Sequence, residues 1–350
     1  MKLPRRNLSP QSMFVRMADD HQPKFHYENW TNDFEAWKAS TKPEVMKCLG
    51  VFPETVDPNP ELKLEWEEEG IRGQRWIIDV NTKLSATVLI FFPTDMKEGE
   101  QRPALLCWHG HGPYGKESVM GNRSTPERKA DIESTNYDYG LQMAHAGFVT
   151  YAVDWLGNAD LDDNSKPNWW GNGHNRDWCN IYYLHSTMFG MTSISINVGI
   201  GMATTSFVSS LPEIDSDRLG VMGLSGGGTM TLWTALCDDR FKAAEIICYS
   251  DLWATFGIRD INYCGMQVAP GLYALVDLPD LQGLLAPLPL LIDVGIRDMC
   301  FRVDTAIACY HQLENIYSAA DATEHLELDL HPRGHAWGGN KSPEFFRKRL

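Results

Sequence analysis

The residues Arg218–Leu236, RLGVMGLSGGGTMTLWTAL, indicate the fold class most clearly. This stretch begins as a short apolar strand, passes through Gly223-Leu224-Ser225-Gly226-Gly227, and continues as an apolar run of helical character. A strand that turns sharply at a serine and leaves as a helix projects the hydroxyl above the sheet, and flanking glycines permit the close backbone contacts of such a turn. We therefore predict that Ser225 is a nucleophile. A phosphate-binding loop is the alternative, but it requires Lys-Ser/Thr where this chain has Gly228-Thr229.

Strands and helices alternate on both sides of this stretch. The segments with strand character are LKLEW, QRWIIDV, LSATVLIFFP, PALLCWHG, FVTYAVDW, RLGVMGLS, AAEIICYS, PLLIDVG and HLELDLH. Helical segments are expected at 137–146, 193–210, 226–237 and 303–318, with a last helix from Ser342. Alternation of this length predicts an α/β fold, with a mostly parallel sheet and helices on both faces.

The chain divides into two regions by this pattern. Residues 1–61 are expected to form a helical N-terminal extension packed on the core, in which 34–50 forms one or two short helices and Pro43 suits the start of a second. Residues 62–350 form the α/β domain, with loop insertions at about 156–180 and 252–286. Insertions of this length either pack onto the domain or form the walls of a binding pocket.

A nucleophilic serine needs a histidine base that is oriented by an acid. In this topology the acid and then the histidine follow the serine, each in a loop after a later strand. Asp298 lies just beyond the strand PLLIDVG, and His335 follows the last strand in LDLHPRGHAWG. We therefore predict that Ser225, Asp298 and His335 form a catalytic triad.

Other residues could take the two supporting roles. Asp293 and Asp304 are alternative acids, although the first is expected inside a strand and the second inside a helix. His331 is the alternative base, but it directly precedes Pro332. The spacing of His331 and His335 would suit zinc only on a helix, and the proline between them opposes one, so no metal is expected.

The oxyanion of an acyl-transfer intermediate needs two backbone amides. One is the amide of Gly226, which follows the nucleophile, and the other should come from the loop after an early strand. That loop reads His109-Gly110-His111-Gly112-Pro113-Tyr114-Gly115, and we assign the His111 amide as the second donor. The ring of His109 is expected to form structural hydrogen bonds.

The composition limits the partners of the chain. Of 350 residues, 31 are Lys or Arg and 46 are Asp or Glu, which gives a net charge of −15. Such a charge opposes binding to nucleic acid or to anionic lipid, so we expect neither partner. The eight cysteines include no CxxC pair, and the N-terminal stretch has no apolar core typical of a secretory signal. Free thiols in a cytoplasmic protein are therefore expected.

The motifs HGHG, GLSGGG, GIRD and RGHAW resemble those of the α/β-hydrolase superfamily over roughly residues 62–340, and they are most similar to its acetyl xylan esterase and dienelactone hydrolase branch. The resemblance implies serine hydrolysis. We therefore expect a serine esterase that acts on a small-molecule ester, a short-acyl or carbohydrate ester, and whose triad needs no cofactor. It also suggests that the extension covers the sheet or an oligomer contact, so a homo-oligomer is possible.

Several alternatives remain open at this stage. A serine peptidase of the prolyl-oligopeptidase type uses the same triad, although it usually carries a large additional domain. A non-catalytic ligand receptor with this fold and a lipase are further alternatives. Tyr114, Trp155, Trp169, Trp170 and Trp337 could line a substrate pocket or pack in the core, and Tyr114, Trp155 and Trp337 are our candidate substrate contacts.

Overall fold

One mixed sheet organises the part of the chain that the structure describes. The computed structural model describes residues 6–30, 33–163 and 177–350. The strands are β1 (Glu61–Glu68), β2 (Ile71–Asn81), β3 (Leu84–Pro93), β4 (Arg102–Trp108), β5 (Val149–Val153), β6 (Ile214–Leu224), β7 (Phe241–Ile247), β8 (Leu290–Gly295) and β9 (Leu326–His331). Their order in the sheet is β1-β2-β3-β5-β4-β6-β7-β8-β9. The first three strands are antiparallel, β5 pairs antiparallel with β3, and all pairs from β5 to β9 are parallel.

Helices cover both faces of this sheet. The α-helices of the described ranges are α1 (Pro10–Asp19), α2 (Phe34–Lys47), α3 (Lys116–Val119), α4 (Pro126–Thr135), α5 (Tyr139–His145), α6 (Trp178–Met188), α7 (Ser193–Val208), α8 (Gly226–Cys237), α9 (Leu272–Leu275), α10 (Leu278–Gly283), α11 (Val303–Ala319) and α12 (Ser342–Arg349). One core cluster includes side chains of α7, α8 and α11, and a second includes those of α3, α5 and α12. Within the described ranges, no helix combines the length and apolarity needed to cross a membrane.

The predicted fold class is confirmed, because the sheet is mostly parallel and both of its faces carry helices. Of the one or two helices expected at 34–50, the structure has one, and Pro43 starts no second helix because α2 runs through it without a break. A proline inside a helix removes one backbone hydrogen bond. Trp37, Thr41 and Val45 are buried on one side of α2, so packing of that side onto the domain offsets the loss.

The N-terminal extension packs on the segment 252–286. The amides of Lys24 and Phe25 donate to the carbonyls of Ala274 and Leu275, at 3.1 and 2.7 Å. Trp37 is fully buried, and its indole N–H donates to the Phe25 carbonyl at 2.8 Å. The extension therefore supports the segment that was expected to form either a packed loop or a pocket wall.

A partly buried ion pair joins the same two regions. His26 Nδ1 lies 3.0 Å from Asp280 Oδ2, and the Asp280 side chain is 1% exposed. The hydrogen bond with Asp280 is the main cause that raises the pKa of His26 to about 9, against the opposing effect of burial. The extension is thus held in part by a histidine that is charged in the folded protein at neutral pH.

We expect this pair to make stability depend on pH. Since the pKa of His26 is higher in the folded chain than its unfolded value of about 6.5, its stabilisation is complete below pH 6.5 and is lost as pH rises to about 9. Over that window, the contribution of His26 to the free energy of unfolding should fall by about 1–3 kcal/mol. Urea unfolding at a series of pH values measures it as the difference between wild type and His26→Gln. His311→Gln, at an exposed site, is the control, and a difference independent of pH would contradict the prediction.

Candidate active site

Ser225 occupies a sharp turn between β6 and α8. Its backbone has φ 61° and ψ −116°, a conformation that is costly for a residue with a Cβ. The turn is fixed on both sides: the Ser225 amide donates to the Ile247 carbonyl at 2.8 Å, and the Ser225 carbonyl accepts from the Thr229 amide at 3.1 Å. The strained turn is the geometry expected of a nucleophile elbow.

The loop after β4 lies directly against this elbow. The Gly110 amide donates to the Tyr137 hydroxyl oxygen at 2.7 Å. A Cβ on Gly110 would lie 2.7 Å from the Leu224 carbonyl oxygen and 3.3 Å from the Cβ of Ser225. A glycine is therefore required at this contact, because any side chain would push the loop away from the serine.

We expect Gly110→Ala to destabilise the protein by about 2–3 kcal/mol, because the new methyl group would overlap the Leu224 carbonyl oxygen. This carbonyl directly precedes Ser225, so it cannot shift unless the elbow shifts with it. Gly112→Ala is the matched control, since its Cβ would meet only a Tyr137 ring carbon at 4.0 Å. That variant should stay within about 1 kcal/mol of wild type. Denaturant unfolding measures both changes, and equal losses would refute the argument.

Asp298 and His335 form a hydrogen-bonded pair at the ends of neighbouring strands. Asp298 follows β8 and His335 follows β9, and the distance from His335 Nδ1 to Asp298 Oδ2 is 2.8 Å. The other carboxylate oxygen accepts from the amides of Cys300 and Phe301, at 2.6 and 3.0 Å. Burial opposes ionisation of this carboxyl, but these hydrogen bonds together with the His335 contact hold the pKa of Asp298 below its ordinary value.

The His335 ring has one nitrogen available for chemistry. Nδ1 is held by Asp298, and the ring stacks on Phe301 with centroids 5.7 Å apart. Nε2 has no hydrogen-bond partner in the described part of the chain, and no hydrogen bond joins it to the Ser225 hydroxyl there. Both residues nevertheless line one cleft of about 440 Å³. Contacts between a catalytic base and its nucleophile are often loose before substrate binds.

The alternative acid and base form a second pair away from this cleft. His331 Nε2 is 2.8 Å from Asp293 Oδ1, and both side chains are buried in the core. Burial raises the pKa of Asp293 to about 6. Asp304 lies in the first turn of α11 and pairs with Arg302 at the surface. The described cleft includes none of these three candidates.

Both predicted oxyanion donors border Ser225. The Gly226 amide is at the first position of α8, where the helix dipole is positive. The His111 ring covers Gly226, with Nδ1 3.1 Å from where a Cβ would be. Neither the Gly226 amide nor the His111 amide donates to a protein acceptor among the described residues, so the predicted role of both amides stays a prediction that these contacts do not oppose.

His109 has the structural role that the sequence suggested. It is fully buried, and burial is the main cause that lowers its pKa to about 4. Nδ1 donates to the Gly110 carbonyl at 2.7 Å, and the Trp155 amide points at Nε2 from 3.4 Å. The neutral ring thus joins the loop after β4 to the end of β5.

Two of the three candidate substrate contacts prove to be core residues, which corrects the prediction. Trp155 is fully buried, stacks on His109 and donates to the His109 carbonyl at 2.8 Å. Trp337 is 2% exposed and donates to Glu245 at 3.0 Å. Tyr114 is half-buried under the Arg128 guanidinium and is not part of the cleft lining. Trp169 and Trp170 lie outside the described residues.

Most walls of the cleft are formed by segments whose structure was not predicted from the sequence. One wall is formed by the insertion at 252–286, and others by α4 and by the loop after β8. Besides the predicted residues, the lining consists of Asp131, Thr135, Tyr137, Leu224, Ile261, Asn262, Tyr263, Cys264, Gln267, Cys300 and Phe301. The long insertion without clear periodicity was the only sequence signal for these contacts.

This sheet, with its cleft at the carboxyl ends of β4, β6, β8 and β9, defines the protein as an α/β-hydrolase. The chain belongs to the Abhydrolase family, whose profile matches residues 2–333.

Similar proteins agree with this classification. YtaP of Bacillus subtilis (strain 168), assigned as a hydrolase, is 23% identical over 304 residues, which is 85% of this chain and 94% of YtaP. A Bacteroides fragilis protein assigned as an acetyl xylan esterase superposes with a TM-score of 0.72 at 18% identity, covering 93% of this chain and 83% of that one. The CE15 glucuronoyl esterase of Teredinibacter turnerae gives a TM-score of 0.66 at 16% identity, covering 95% and 90%. At these identities the structural matches show the fold.

Proposed function

We propose that the protein is a carboxylic ester hydrolase that cleaves short-acyl or carbohydrate esters through an acyl-enzyme on Ser225. One observation carries the proposal: a strained serine and a hydrogen-bonded His335–Asp298 pair line the same cleft. The structural relatives include an assigned acetyl xylan esterase and a glucuronoyl esterase, which supports an ester as the substrate.

In the proposed mechanism, His335 Nε2 takes the proton of the Ser225 hydroxyl as its oxygen attacks the ester carbonyl. Asp298 holds the ring through Nδ1 and stabilises the imidazolium that forms. The amides of Gly226 and His111 donate to the oxyanion. His335 then protonates the leaving alcohol and activates the water that releases the acid.

The cleft lining supports a small ester with a polar part. A volume of about 440 Å³ suits a ligand of modest size. Ile261, Tyr263 and Phe301 offer apolar and aromatic surface for an acyl group or a sugar face. Asp131 and Asn262 place polar groups in the same cleft, where sugar hydroxyls could hydrogen-bond.

A substrate panel tests the proposal. It contains p-nitrophenyl acetate, an acetylated xylo-oligosaccharide, a methyl ester of glucuronic acid and an aminoacyl-proline amide, each assayed with wild type and with Ser225→Ala. We expect turnover of at least one ester by wild type, and none above background by the variant. Faster cleavage of the amide would indicate a peptidase instead. A ligand that binds tightly and is released unhydrolysed would indicate a non-catalytic receptor.

A further inference from the structure

Three soft donor groups converge beside the cleft, and the proposed chemistry uses none of them. They are the ring of His111, the thiol of Cys179 in the first turn of α6, and the thiol of Cys264. Their donor atoms all lie within 4.8 Å of one another. His111 Nε2 lies 3.2 Å from Cys264 Sγ. From His111, the proposed mechanism uses the backbone amide and not the ring.

Neighbouring residues hold each group in place. The edge of the Trp155 ring meets the His111 ring at a centroid distance of 5.0 Å and an angle of 81°. Cys264 precedes the short 3-10 helix Gly265–Gln267. Its carbonyl accepts from the Gln267 backbone amide at 3.0 Å, and its own amide donates to Gln267 Oε1 at 3.2 Å. The Gly265 amide donates to Asn180 Oδ1 at 2.7 Å, which ties this short helix to α6 next to Cys179. The donors are therefore positioned by the fold before any ligand arrives.

We propose that His111, Cys179 and Cys264 form a binding site for a soft divalent metal ion, with Zn²⁺ as the best match. One imidazole and two thiolates are a ligand set that zinc prefers in tetrahedral sites. Bond lengths of about 2.3 Å to sulfur and about 2.0 Å to nitrogen place tetrahedral ligands roughly 3.5–3.8 Å apart. Here the donor atoms lie within 4.8 Å of one another, and His111 Nε2 is 3.2 Å from Cys264 Sγ, so side-chain movements of about 1 Å bring them to this spacing.

A metal ion would enter this site through the cleft. His111 and Cys264 both line it, whereas Cys179 is buried behind them. With three protein ligands, the fourth tetrahedral position is left for water or for a group that enters from the cleft. Binding requires both thiols in the thiolate form, so their protons leave to solvent as the two Zn–S bonds form.

Zinc titration of the full chain tests this site directly. The protein is reduced with a phosphine, freed of metal with a chelator, and titrated with Zn²⁺ against a chromophoric competitor. We expect one equivalent to bind, and we expect Cys179→Ser and Cys264→Ser each to raise the Kd at least 100-fold. Cys300→Ser is the matched control, because Cys300 also lines the cleft and is half-buried, and its Zn²⁺ affinity should equal that of wild type.

A second readout needs no variant. Zn²⁺ should protect Cys264 of wild type from alkylation by iodoacetamide, measured by peptide mass mapping, while the reaction at Cys300 continues at its metal-free rate. The proposal is overturned if wild type binds no saturable Zn²⁺, if both cysteine variants keep the wild-type affinity, or if Zn²⁺ leaves the alkylation rate of Cys264 unchanged.

Discussion

Replacing Ser225 with alanine is expected to lower kcat for ester hydrolysis by about four orders of magnitude or more. Removal of the nucleophile leaves only binding and the oxyanion donors, which support a small residual rate. The variant keeps a Cβ at the strained position, so the elbow and its backbone hydrogen bonds should be retained. The measurement is steady-state hydrolysis of the best ester in the panel, with circular dichroism to establish folding.

Two further variants sharpen this prediction. Ser216→Ala, at an exposed site before the central part of β6, controls for the loss of any serine and should have wild-type kcat. The double variant Ser225→Ala/His335→Ala should be no slower than the single ones, because residues that act as one unit have non-additive effects. A folded Ser225→Ala protein with more than about a tenth of the wild-type kcat would disprove the role of Ser225.

The second large expected effect tests which of the two His–Asp pairs takes part in catalysis. Asp298→Asn is expected to lower kcat by about three to four orders of magnitude, because the amide can no longer hold His335 in the required tautomer or stabilise its charge. The fold should be preserved, since the side chain keeps its shape and can still accept from the Cys300 and Phe301 amides. Steady-state kinetics and thermal unfolding are measured on the same preparation.

Asp293→Asn is the matched control for this change. Its partner His331 is buried in the core, away from the cleft, so kcat should stay within about tenfold of wild type while stability falls by about 2–4 kcal/mol. If folded Asp293→Asn instead lost more activity than Asp298→Asn, the assignment of the acid would be reversed.

The strands of the sheet and helix α8 could be predicted from the sequence, because the residue patterns that indicate them are local. Apolar runs or alternating apolar residues between turn signals predict all nine strands of the described sheet, and α8 begins and ends where the glycine-rich stretch predicts it. The positions after β8 and β9 also follow from topology, since parallel strands bring their carboxyl ends to one edge. The same rule predicts that Asp298 and His335 lie near each other.

Other features depend on tertiary contacts that no local pattern reports. A tryptophan in an apolar segment has the same sequence signature whether it packs in the core or lines a pocket, and Trp155 and Trp337 are core residues for that reason. The largely polar helix α4 was missed, although Thr125 and Pro126 form an N-terminal signal: Thr125 accepts from the Arg128 amide, and Pro126 is the first helical residue.

The approach of His111 to Cys264 is the clearest case of information absent from local sequence. The two residues are 153 positions apart, and the second lies in a segment without periodicity. The same segment contributes Ile261, Asn262 and Tyr263 to the cleft. Its position depends on the N-terminal extension, which hydrogen-bonds to it through backbone and side chains.

The most direct test of the proposed hydrolase is intact mass after incubation with a fluorophosphonate, on wild type and on Ser225→Ala. Such a reagent phosphonylates a serine only where a base and an oxyanion site activate it. We expect one adduct per chain on wild type and none on the variant. No adduct on folded wild type, or an adduct that persists in Ser225→Ala, would contradict it.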